Sequence, residues 1–61
     1  MSLLEVTYRI EELYDRRTGQ AVFEVWSANQ ATGYQWLVAE CNSRADAREM
    51  VERYRAAEAK A

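Results

Sequence analysis

The dipeptide Thr-Gly occurs twice, as Thr18-Gly19 and Thr32-Gly33, and these two positions hold all the glycine in the chain. Each glycine ends a polar run, Asp15-Arg16-Arg17-Thr18-Gly19 or Asn29-Gln30-Ala31-Thr32-Gly33, and an apolar stretch follows each. Glycine enters the left-handed backbone region without steric cost, so both runs read as hairpin loops. Two such loops fourteen residues apart set the rhythm of an antiparallel meander rather than of a stacked repeat. Proline is absent, and no linker interrupts the pattern.

The loops divide the chain into strands at about residues 5–14, 20–27 and 34–41. The first is rich in β-branched and aromatic residues, alternating at Val6, Tyr8 and Ile10. Its phase slips across Glu11-Glu12 before Leu13 and Tyr14, which predicts a bulge or a fraying end. A helix at about residues 43–58 follows. Ser43-Arg44-Ala45-Asp46 approximates a capping box with Asp in place of Glu, and Ala47, Met50, Val51, Tyr54 and Ala57 form one apolar stripe. Arg48–Glu52 and Glu49–Arg53 have the spacing of helix ion pairs. The tail Glu58-Ala59-Lys60-Ala61 is expected to fray. The expected fold is α+β, a three-stranded antiparallel β-meander followed by one C-terminal α-helix, in a single small domain over residues 1–61.

At 61 residues the chain has room for one small core. Leu, Ile, Val and Phe make up only 11 residues, a share that taken alone leans toward disorder. Two Trp, four Tyr and one Phe supply large apolar area against a net charge of −2, which favours a folded chain. With one cysteine, no internal disulfide can staple it. No apolar run is long enough to span a bilayer, and Met1-Ser2-Leu3-Leu4-Glu5 lacks the basic start and longer apolar core of a secretory signal. Cytoplasm is the expected compartment, with no membrane partner.

Strands two and three carry the most informative pattern. Alternation puts Phe23 and Val25 on one face, with Leu37, Ala39 and Cys41 sharing a face of the third strand. Val22, Glu24 and Trp26 take the opposite side of strand two, and Tyr34, Trp36 and Val38 that of strand three. One helix covers one face of such a sheet. If it covers the Phe23 set, then Val22, Trp26, Tyr34, Trp36 and Val38 form an exposed aromatic patch, the composition of an interface. Self-association through a twofold dimer is the economical way to bury it.

Chemistry finds few residues to use. There is no histidine, and the single lysine, Lys60, lies in the tail. Cys41 has no imidazole to activate it and reads as an inert thiol on an apolar strand. Adjacent Glu11 and Glu12 point to opposite faces, and Glu24 and Glu40 read as solvated strand residues that flank the aromatic side. No metal-ligand spacing or phosphate loop is present. Neither an enzyme nor a cofactor is expected.

The chain also resembles the arm-type DNA-binding domain of tyrosine integrases and the related plant ethylene-response type. The likeness runs from Tyr8 over most of the chain and includes Gly19, Phe23-Glu24-Val25, Trp36-Leu37 and the helix end Tyr54-Arg55-Ala56-Ala57. In those families the sheet enters the major groove. The resemblance implies nucleic-acid contacts at Arg9, Arg16 and Arg17. Against it, strands two and three carry no Lys or Arg, and Glu24 and Glu40 repel phosphate.

Three functions are thus in view. The first is a homodimeric protein-binding regulator or inhibitor, of the kind that phage and mobile elements encode against host defence, contacting a protein partner through the aromatic face. The second is a nucleic-acid-binding module. The third is a structural subunit of a larger complex.

Overall fold

The computed structural model describes residues 6–60. Met1 to Glu5, including the first residue expected in a strand, lie outside that range, as does Ala61. Strands β1 (Val6–Tyr14), β2 (Ala21–Asn29) and β3 (Gln35–Cys41) form one antiparallel sheet in the order β1-β2-β3, followed by helix α1 (Arg44–Lys60). The fold is the α+β meander with a C-terminal helix that the Thr-Gly repeat implies.

The repeat has a physical basis, because the two loops are built from the same bonds. Asp15 N–H donates to Gln20 O at 2.9 Å and Gly19 N–H to Asp15 O at 2.7 Å; Asn29 N–H donates to Tyr34 O at 2.8 Å and Gly33 N–H to Asn29 O at 2.7 Å. The side-chain Oδ1 atoms of Asp15 and Asn29 accept from Arg17 N–H and Ala31 N–H, and the Thr18 and Thr32 hydroxyls accept from Gln20 N–H and Tyr34 N–H. Gly19 and Gly33 have φ of 73° and 78°, the left-handed region that disfavours any side chain. Asp or Asn, then two variable residues, then Thr-Gly is thus a complete recipe for this turn.

Register decides which side chains meet. The β1–β2 pairing runs without a break from Val6↔Asn29 to Tyr14↔Ala21, so the bulge expected at Glu11-Glu12 does not form. Leu13 and Tyr14 keep the alternation and are simply exposed. The irregularity lies in β3, where Ala39 pairs with Val25 and Leu37 with Trp26, leaving Val38 as an extra residue. That insertion reverses the phase of the first half of β3.

Helix α1 packs over Phe23 and Val25. These two and Ala47 are the buried apolar residues among those described, with Tyr8, Ile10, Val38, Ala39, Met50 and Val51 packed around them. Ser43 Oγ caps the helix by accepting from Asp46 N–H at 3.1 Å. Arg44 fixes its first turn to the sheet, pairing with Glu12 at 2.8 Å while its guanidinium lies 5.3 Å over the Phe23 ring. The Glu49–Arg53 ion pair forms at 3.9 Å, and none forms between Arg48 and Glu52. Ala57, expected in the buried stripe, is exposed. The helix backbone runs on to Lys60 rather than fraying after residue 58. Alanine, glutamate and lysine favour helix, and the Tyr8 hydroxyl holds Glu58 by a hydrogen bond.

Candidate functional site

The five residues expected to form one aromatic patch are divided by the extra residue in β3. Directly opposed residues share a face. Val22 and Trp26 therefore lie on the open side of the sheet with Leu13 and Leu37, whereas Trp36 faces Ser27 on the helix side. Val38 packs against the core instead of joining either surface. The expectation of Trp26 and Trp36 on one face is thus corrected. Leu37, expected on the Phe23 side, is exposed on the other.

An aromatic stack stands at the start of β3, ahead of the bulge. The Tyr34 and Trp36 rings lie 5.5 Å apart with 27° between their planes. Tyr34 is 67% exposed, Trp36 36% and Leu37 44%, so apolar groups flank the strand on both sides. This strand is also a sheet edge. Asn29 and Tyr34 form the bonded pair that closes the second loop. Because bonded and non-bonded pairs alternate, the N–H and C=O groups of Gln35 and Leu37 point away from β2 into open space.

The open face is polar by comparison. Arg9 lies 5.3 Å over the Trp26 ring and bonds Glu11 at 2.7 Å and Gln35 at 2.8 Å, while Trp26 Nε1–H donates to Glu24 at 2.9 Å. Glu11 pairs with Glu24, and Glu24 with Glu40, so three carboxylates stand in one row across the sheet. Arg9 is thereby committed within its own face. Arg16 and Arg17 are exposed in the first loop, about 20 Å further along β1 at the strand's rise per residue. The structure does not bring these three arginines together, and the carboxylate row faces any phosphate that approaches the sheet.

On the helix side, Tyr8 stacks on Tyr54 with ring centroids 5.9 Å apart and donates its hydroxyl to Glu58. Burial, reinforced by the Glu58 carboxylate, pushes the Tyr8 pKa up from 10.0 to about 12. Cys41 is a free, half-buried thiol packed on the core. Among the described residues, no group of three His, Cys, Asp or Glu side chains is placed to hold a metal ion, and no helix is long and apolar enough to cross a membrane. A groove between β1 and α1, lined in part by Ile10, Arg48 and Arg55, is a feature that sequence reasoning missed.

Compared with known proteins, the chain matches no family model, no curated protein and no solved structure. The likeness to the integrase arm-type domain is therefore one of topology, three antiparallel strands and a helix.

Proposed function

We propose that this chain is a small, non-enzymatic protein-binding module, a regulator or inhibitor, that self-associates through the first half of β3. The observation that supports it is the imbalance between core and surface. Only Phe23, Val25 and Ala47 are buried apolar residues among those described, while Tyr34, Trp36 and Leu37 stand exposed around an unpaired strand edge. A contact at β3 removes apolar surface that the described residues leave exposed.

A second copy is the occupant that fits this edge. Antiparallel pairing about a twofold axis at Trp36 sets Gln35 against Leu37 of the other copy. Both residues aim their N–H and C=O groups outward, as a bonded pair requires. Trp36 then meets its own counterpart on the helix side, and the two Glu40 carboxylates fall at opposite ends of the contact. The result is one six-stranded sheet.

Amide exchange tests this arrangement. As protein concentration rises, the Gln35 and Leu37 N–H groups become protected, while Val25, central in the sheet, stays protected throughout. Exchange of Gln35 and Leu37 at unprotected rates at every concentration would show that the edge is not an interface between copies.

A further inference from the structure

The groove between β1 and α1 lies on the opposite edge of the sheet from β3. It is open, encloses about 280 Å³, and is lined by Tyr8, Arg9 and Ile10 of the strand and Arg48, Val51, Glu52 and Arg55 of the helix. The strand side is a second set of unused backbone groups. Asp15 N–H bonds Gln20 O at the end of an unbroken register. Counting back by alternation, Asp15, Leu13, Glu11 and Arg9 face β2, and Tyr8, Ile10 and Glu12 present their N–H and C=O groups outward. Tyr8 and Ile10 do so into the groove.

The helix side is cationic and partly apolar. Val51 and Ile10 offer apolar surface, and Arg48 and Arg55 make no ion pair among the described residues. Glu52 is the single carboxylate in the lining, and the neighbouring Glu12 and Glu58 are bound by Arg44 and Tyr8. The chain as a whole carries a net charge of −2, so this cationic surplus is local to the groove. Arg48 and Arg55 are separated by two helical turns, about 10.5 Å along the axis. Side chains two or four residues apart on one side of an extended chain are spaced by about 7 or 13 Å, within reach of both guanidinium groups.

We propose that this groove binds an extended acidic peptide segment, which adds to β1 as a fourth strand and directs its carboxylates to Arg48 and Arg55. Backbone bonds to Tyr8 and Ile10 supply affinity that is indifferent to sequence, and the two arginines select for acid at alternate positions.

A fluorescein-labelled peptide alternating Val and Glu, compared with its Val-Lys counterpart, tests the assignment by anisotropy and amide exchange. The Glu peptide binds saturably and the Lys peptide does not; the Tyr8 and Ile10 amides gain protection on binding. Arg48→Gln together with Arg55→Gln weakens binding about tenfold or more, the loss expected from removing charge-assisted bonds. Both positions are exposed, and circular dichroism confirms that the variant is folded. Glu52→Gln tightens binding, and Trp36→Ala leaves it unchanged, which separates this site from the β3 contact. Absence of binding, equal binding of the Lys peptide, indifference to the arginine substitutions, or protection that spares Tyr8 and Ile10 would overturn the assignment.

Discussion

Trp36 stands directly across from Ser27, on the helix side of the sheet, although alternation counted back from Cys41 places it on the other side. Val38, the extra residue of β3, causes the reversal and spends its own side chain on the core. One inserted residue thus separates the two tryptophans. Trp26 lies under Arg9 in a polar network, and Trp36 stacks on Tyr34 at an open edge.

The row Glu11–Glu24–Glu40 is a repulsion built into the open face. Like charges directly opposed across strands are unfavourable. Replacing Glu40 with Lys converts one of these contacts into an attraction and is expected to stabilise the fold by about 0.5–1 kcal/mol at low ionic strength. Because the site is exposed, the gain shrinks as salt is added. Urea denaturation at low and high salt checks both the sign and the screening.

The loops give a second expectation. An added Cβ meets nothing within 4 Å at either Gly19 or Gly33, so crowding plays no part in substitution there. The left-handed backbone remains, with its penalty of about 1–2 kcal/mol for an L-residue. Gly19→Ala and Gly33→Ala should each lower stability by that amount, and asparagine should cost less at both sites. Equal stability of wild type and both alanine variants in thermal melts would contradict the turn geometry.

These two cases show what was legible in the chain and what was not. The loops were readable because [Asp/Asn]-x-x-Thr-Gly names its own hydrogen bonds, and they fix the β1–β2 register from within. Once Asp15 closes on Gln20, Glu11 must face Glu24. The helix was readable from its Ser43 cap and apolar stripe, although its end was not, because Ala and Glu continue a helix whose last turns are tied to β1 by Tyr8, through its bond to Glu58 and its stack on Tyr54. The β3 bulge left no local signal. Gln35 to Cys41 alternates acceptably in either phase, and packing of Val38 onto the core chooses between them. The aromatic residues of the contact surface were therefore recognisable by type, while their division between faces was a tertiary outcome. The β1–α1 groove depends on the placement of Arg48 and Arg55 beside Ile10, residues separated by more than half the chain.

Tyr8 makes stability depend on alkaline pH. Its folded pKa, pushed up by burial and by Glu58 to about 12, exceeds the ordinary value of 10.0. The folded state therefore holds the phenol proton where the unfolded chain has released it. The stabilisation is complete below about pH 10 and is lost as pH rises toward 12. Denaturation across that window should show falling stability. Glu58→Gln removes the neighbouring negative charge and should shift phenol ionisation, followed by ultraviolet absorbance, toward lower pH. An unchanged titration in that variant would show that Glu58 does not act on Tyr8.

Whether the first half of β3 is an interface is decided by the mass of the protein in solution. Light scattering over a dilution series at moderate salt should find wild type as a dimer, twice the 7.1 kDa chain mass, that dissociates on dilution. Trp36→Ala, still folded by circular dichroism, should be monomeric at concentrations where wild type is not. A wild-type protein that stays monomeric at the highest concentration, or a Trp36→Ala variant that dimerises as wild type does, would contradict that interface.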